Sequence, residues 1–154
     1  MDNHYHALKT ALLAACQRYV GERIANAQQA LASASDAAAD DTKSSAGDKF
    51  ETTREMMQQE IARHQQLLAD AERMDQVLIS LDVRPQSGPA RLGSLVETNR
   101  GIFFLAVSVG RIDVEGRTYW VVSTASPIGS RLVGMQAESR FTFNNMEYVI
   151  KQVM

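Results

Sequence analysis

The sequence predicts an α+β protein in which a long helical hairpin precedes a small strand-rich domain. Two observations carry this. Apolar residues recur at helical spacing across the first half, where Met1 to Val83 contains no proline and only Gly21 and Gly47 as glycines. After Leu81 the pattern changes to short β-branched and aromatic runs divided by glycine and asparagine. The 154 residues suit one ordinary domain or two small ones.

In the helical half, Tyr5, Leu8, Leu12, Ala15 and Tyr19 form one stripe, which drifts to Val20, Ile24, Ala27 and Leu31. A second run, Phe50, Met57, Ile61, His64, Leu68, Ala71 and Leu78, keeps the rhythm. Each run of around 35 residues corresponds to about 50 Å of helix. Such stripes need a partner, so the two helices are expected to pair as an antiparallel coiled coil. His64 reads as a packed or boundary residue of the stripe. The intervening stretch Ser33 to Asp48 lacks large apolar residues and places the turn between Asp40 and Gly47. Ser45 with Asp48 has the form of a capping box, and Asp2 is a candidate cap for the first helix.

Pro85-Gln86-Ser87-Gly88-Pro89 ends any helix and reads as a linker. The predicted divisions are a hairpin over 1–83 with its tip near 40–48, a linker over 84–90 and a β-rich domain over 91–154. Expected strands lie in Gly93 to Thr98, Ile102 to Val109, Arg111 to Val114 and Thr118 to Thr124. A final hairpin, Phe141 to Phe143 with Glu147 to Val153, closes around Asn144-Asn145. Ser126 to Gly134 interrupts the strands, and Pro127 near its start predicts a loop running into a short helix.

Composition narrows the function. No apolar run approaches the roughly 20 residues that span a bilayer, and the start Met1 to His6 lacks the pattern of a signal peptide. Cys16 is the only cysteine, which excludes an intrachain disulfide and suits a reducing compartment; the expected location is the cytoplasm. Cys16 falls in a helical apolar run and reads as a packed small hydrophobe. The histidines, His4, His6 and His64, do not show zinc-ligand spacing, and His4 and His6 read as exposed helix-start residues. No phosphate loop or nucleophile elbow is present, so an independent hydrolase is not expected. Met1 to Val83 carries 8 Lys and Arg against 13 Asp and Glu, a balance of -5. Arg84 to Met154 carries 8 against 5, a balance of +3. Neither half has the basic density of a protein that grips nucleic acid alone; an acidic rod on a basic block suggests a protein partner.

Ser126, Pro127, Ile128, Gly129, Leu132, Val133 and Gly134 match the family motif S-P-[I/L]-[G/A]-x-x-L-[L/I]-G-K, with Met135 in place of the final base. Ala137-Glu138-Ser139 stands where the family turn is usually Val-Gly-Asp. Following a rod of this length and preceding a Phe-Thr-Phe and Tyr-Val-Ile hairpin, the motif resembles the GreA/GreB family of transcript-cleavage factors. The resemblance implies an FKBP-like C-terminal domain docked on bacterial RNA polymerase through Ser126, Pro127, Ile128 and Gly129. It implies a monomer whose hairpin enters the polymerase secondary channel and makes indirect contact with nascent RNA. It further implies that tip carboxylates share Mg²⁺ with the polymerase active site, so that the protein stimulates cleavage of backtracked RNA without being an enzyme or owning a cofactor or metal site.

The family's tip reads G-D-x-x-E-N-A-E-Y. Setting Phe50 on the tyrosine puts Lys43 and Ala46 at the two acidic positions; a small shift brings Asp40 or Asp41 and Asp48 there instead. The candidate catalytic acids are therefore Asp40, Asp41 and Asp48. Two other readings stay open: a Gre-like channel binder without cleavage activity, and a peptidyl-prolyl isomerase with Trp120, Phe103 and Phe104 lining a pocket, although alternating strand aromatics are more often core.

Overall fold

The computed structural model describes residues 2–44 and 48–154, leaving aside the side chains of Asp2, of residues 41–44 and of residues 48–51. The order is two long helices, α1 (Asp2–Ser44) and α2 (Asp48–Ile79), then strands β1 (Leu95–Thr98), β2 (Gly101–Ala106), β3 (Gly110–Val114) and β4 (Arg117–Ser123). A short helix α3 (Pro127–Leu132) and strands β5 (Arg140–Phe143) and β6 (Met146–Val153) complete it. The α+β class and the order of elements are those predicted. Among the described residues no helix is long and apolar enough to cross a membrane.

The chain forms two compact units. One holds Val20 to Asp75, the middle of the helical pair. Here Ala27 and Ala30 of α1 share a groove of about 280 Å³ with His64 and Leu67 of α2, which sets the helices side by side. The small alanines leave the gap. Along α2 the predicted stripe is the less exposed one, with Met57, Ile61, His64 and Leu68 half-buried and Ala71 buried, while Met56 stands out into solvent. His64 is the boundary residue expected; its Nε2 lies 3.6 Å from the Glu60 carboxylate one turn earlier.

The other unit joins Met1 to Tyr19 with Gln76 to Met154. It contains the six-stranded sheet, in the order β3-β4-β2-β1-β6-β5. All neighbours are antiparallel except β2 and β4, which run parallel with Phe103 opposite Trp120. The turns are those that glycine and asparagine predict. Glu115-Gly116 and Asn144-Asn145 all have positive φ (51°, 78°, 50° and 63°), the geometry of tight two-residue hairpins.

Strand alternation gives the sheet two buried faces. On one, Val96, Phe103, Leu105, Phe141, Tyr148 and Ile150 pack with Leu132 of α3. On the other, Leu95, Phe104 and Val121 are fully buried, although α3 lies on the opposite side. The helical base covers this second face. His4, Ala7, Leu8 and Ala11 of α1 line a cleft with Val114 and Glu115 at the β3–β4 turn, and Leu12, Cys16 and Leu78 are buried in the same unit.

The buried line of α1 keeps Leu12, Val20 and Ala27 of the predicted stripe and adds Lys9 and Cys16. Tyr5, Leu8, Ala15 and Tyr19 are half-buried, whereas Lys9, Leu12, Cys16 and Val20 are fully buried. Cys16 is thus the packed hydrophobe expected, and burial pushes its thiol up to about 11. Lys9 heads the line, and its Nζ donates to the carbonyls of Arg84 (2.9 Å) and Met154 (3.3 Å). One turn earlier His6 Nδ1 is 3.2 Å from the Val83 carbonyl. His6 and His4 are exposed, as expected.

Desolvation lowers the Lys9 ammonium from its ordinary value to about 8; Asp82 opposes the shift and Arg91 adds to it. Between about pH 8 and the ordinary lysine value, the unfolded chain binds a proton that the folded chain has released. The folded state therefore gains stability as pH rises through that window. Measured by urea denaturation against Lys9→Met, whose side chain does not titrate, the wild-type protein should gain roughly 2–3 kcal/mol between pH 8 and 10.5. A constant difference would show that Lys9 keeps its ordinary affinity for protons.

Candidate functional site

The acids predicted for the tip fall where α1 ends and α2 begins. Asp40 lies on the last turns of α1 and is exposed. Asp41 belongs to α1 and Asp48 opens α2, but their side chains, like the Ser45 and Asp2 caps, lie outside the described residues. Asp36, a turn earlier, is also exposed. Among the described residues no group of three or more His, Cys, Asp and Glu is placed to hold a metal ion.

The Ser126 to Gly129 motif is fully defined. β4 ends at Ser123, and the chain turns into α3 through a network centred on one carbonyl. The Ser126 hydroxyl donates to the Ser123 carbonyl at 2.6 Å and accepts from the Gly129 amide at 3.0 Å. The Ser126 amide also donates to Ser123 O, at 3.1 Å. Ser126 is thus the N-cap of α3, and Pro127 follows in the first turn, where its fixed φ suits a helix and its missing N–H is not needed. Gly129 is required by proximity: a Cβ there would stand 1.9 Å from the Ser123 carbonyl oxygen.

The four residues accordingly divide. Ser126 and Gly129 build the corner, Gly129 being buried. Ile128 packs half-buried against the core cluster. Pro127 alone of the four is exposed. At the far end of α3, Gly134 takes a positive φ of 85° and donates to Ala90 O, while Ala90 N donates to Met135 O, both at 2.8 Å. The end of the predicted linker is therefore hydrogen-bonded to the segment after α3. The linker itself is organised by Asp82, whose carboxylate accepts from the Arg84 side chain and amide; this partner holds its pKa well below the usual carboxylate range.

The three aromatics considered for an isomerase pocket do not converge. Phe103 and Phe104 point to opposite faces of the sheet and both are buried. Trp120, expected in the core, lies on the Phe103 face and is 40% exposed. Sequence reading also missed Lys9 and Ser123. Lys9 carried a signal, because it stands at helical spacing before Leu12 and Cys16; Ser123 carried none, since its role is to present a backbone carbonyl.

Gly129→Ala should lower stability by roughly 1–3 kcal/mol, because the new methyl group must push apart β4 and α3. Ser130→Ala, one position on and exposed, should change it by less than about 0.5 kcal/mol. Thermal melts of the two variants decide the matter. Equal melting temperatures would show that the corner relaxes freely and that the glycine serves something other than packing.

No family model matches this sequence, and no curated protein does. Among solved structures the chain is similar to one described as the transcription factor Gfh1, with 18% sequence identity and a TM-score of 0.36 over 89% of this chain and 92% of that one.

Proposed function

We propose that this chain is a cytoplasmic, Gre-like bacterial transcription factor that acts as a monomer on RNA polymerase. Its sheet domain docks beside the secondary channel through the corner that presents Pro127, and the helical hairpin carries its tip acids toward the active centre. The observation that carries this reading is the motif from Ser126 to Gly134, built as a rigid corner in a sheet domain that follows two long helices. That order of elements is the one the family resemblance implies.

In this reading the protein is not itself an enzyme. It stimulates the polymerase's own hydrolysis of backtracked RNA, touching the nascent transcript only indirectly. Mg²⁺ takes one or two protein carboxylates together with waters and phosphate oxygens, and Asp40, an exposed carboxylate near the end of α1, is a donor of that type. Asp41 and Asp48 are the other two acids close to the change of helix. Bound by such carboxylates and the polymerase, the ion would stabilise the attacking or leaving oxygen of phosphodiester hydrolysis. The hairpin's part is to bring the acids to that place and hold them there. The alanines of the Ser33 to Asp48 stretch keep that end slim, which suits a narrow channel.

A second reading keeps the docking and drops the chemistry, so that the hairpin occupies the channel and tunes transcription. One observation favours it: with Phe50 on the family's tyrosine, Lys43 and Ala46 stand at the acidic positions.

A stalled, backtracked elongation complex separates the readings. The protein should bind it and accelerate RNA shortening. Asp41→Asn with Asp48→Asn, which keeps size and removes charge, should bind equally well while cleavage falls by roughly 10²-fold or more. A double variant that cleaves like its parent would refute the catalytic tip. A parent that binds without cleaving establishes the second reading, and one that does not bind refutes both.

A further inference from the structure

Trp120 is the exposed aromatic of the sheet. It sits on β4 opposite Phe103, and its ring lies against Gly101: a Cβ added at Gly101 would come within 3.3 Å of its Cδ1. The indole thus has its seat on bare backbone. At 40% exposure it leaves a large flat apolar surface in water, on a strand flanked by neighbours on both sides. Tryptophan is prominent among the residues that dominate protein interfaces.

Cationic charge lies along the same face of the sheet. From Phe103 an aromatic row continues along the same face to Tyr148 (ring centroids 6.4 Å apart) and on to Phe141, stacked on Tyr148 at 5.0 Å. Two arginines lie over this row, the Arg100 guanidinium 5.8 Å from the Tyr148 centroid and Arg131 5.3 Å from that of Phe141. The Arg100 Nε also donates to the Glu147 backbone carbonyl at 2.8 Å, and neither this bond nor the ring contacts neutralise the cations. Nearby carboxylates are engaged elsewhere: Asp113 with Arg111 and Thr118, and Glu147 with Arg140. Among the described residues neither Arg100 nor Arg131 has an ion-pair partner, and Arg100 directly precedes the glycine on which Trp120 rests.

We infer that the face formed by Trp120, Arg100 and Arg131 is a protein-docking surface that takes an acidic segment of RNA polymerase carrying an apolar side chain for the indole. The inference rests on the polymerase reading and adds to it the surface that supplies affinity beside the Pro127 corner. Charge complementarity selects the occupant: two preset guanidinium groups match carboxylates in a bidentate fashion, and the open indole face takes an aliphatic or aromatic side chain. Single-stranded nucleic acid fits less well. It favours successive stacking rings along a basic groove, whereas Trp120 is the exposed ring here and Phe103, Tyr148 and Phe141 are buried.

Binding of the full-length protein to core RNA polymerase, measured at two salt concentrations, tests this. Trp120→Ala should weaken binding roughly 10–100-fold, and Trp120→Phe should recover part of the loss. Arg100→Gln with Arg131→Gln should weaken it and remove most of the salt dependence. Circular dichroism and melting curves establish that each variant is folded. If the wild type binds and the folded variants bind within about twofold of it, this surface is not the interface, while the polymerase reading stands. If the wild type does not bind, both fall. Loss of binding to a single-stranded RNA oligonucleotide with unchanged polymerase affinity would also overturn the inference.

Discussion

A buried ammonium group is the constraint on which the base of this protein depends. A lysine without access to water is tolerated only when its protons find acceptors, and Lys9 finds them in two carbonyls far along the chain, those of Arg84 and Met154. The Met154 carbonyl also accepts from the Leu95 amide, and Met154 N donates back to Leu95 O, each at 2.9 Å. The first helix, the linker and the end of β6 must therefore meet at one point. In the unit so joined, Leu12 and Cys16 of the helix are buried, as are Leu95, Phe104 and Val121 on the second face of the sheet. The start of α1 is accordingly part of the same compact unit as the sheet.

A second constraint acts at the opposite face. The Ser123 carbonyl receives the hydroxyl and the amide of Ser126 and lies so close to Gly129 that no side chain fits there. β4 is thus bound directly to α3, and α3 presses Leu132 into the core. Most of the Ser-Pro-Ile-Gly motif is therefore scaffold. In the proposed docking, an interface built on such a hydrogen-bonded corner would lose less conformational freedom on binding than one built on a loop.

Much of this was legible because the decisive signals are local. Asn144-Asn145 and Glu115-Gly116 adopt the left-handed conformations that such pairs tolerate, so the hairpins stand where they were expected. Pro127 announced α3, whereas the Ser126 cap in front of it came to light only in the structure. The stripe from Met57 to Leu78 identified the inner side of α2 because spacing alone decides it. The parallel pairing of β2 with β4 was not legible, since no local pattern encodes which strands become neighbours. Nor was Lys9, whose acceptors lie 75 and 145 residues away. Trp120 misled for a related reason: alternation tells which residues share a face and not how far α3 extends over it. Of the candidate acids, Asp40 is exposed, and of the motif residues Ser126 and Gly129 build the corner, Ile128 packs against the core and Pro127 faces solvent; a role on a partner's surface is written in complementarity to that partner, which one chain does not display.

The claim at the centre of this account is that the hairpin end reaches the polymerase active centre. Cys16 is the only cysteine, it is fully buried, and a thiol pushed up to about 11 carries little thiolate at neutral pH. A cysteine introduced as Asp40→Cys would therefore be the reactive one. Charged with an iron chelate and bound to core RNA polymerase, the Asp40→Cys protein should cut the polymerase chains around the catalytic centre with hydroxyl radicals. Cuts confined to the outer surface of the polymerase, or none in a complex shown to have formed, would contradict it.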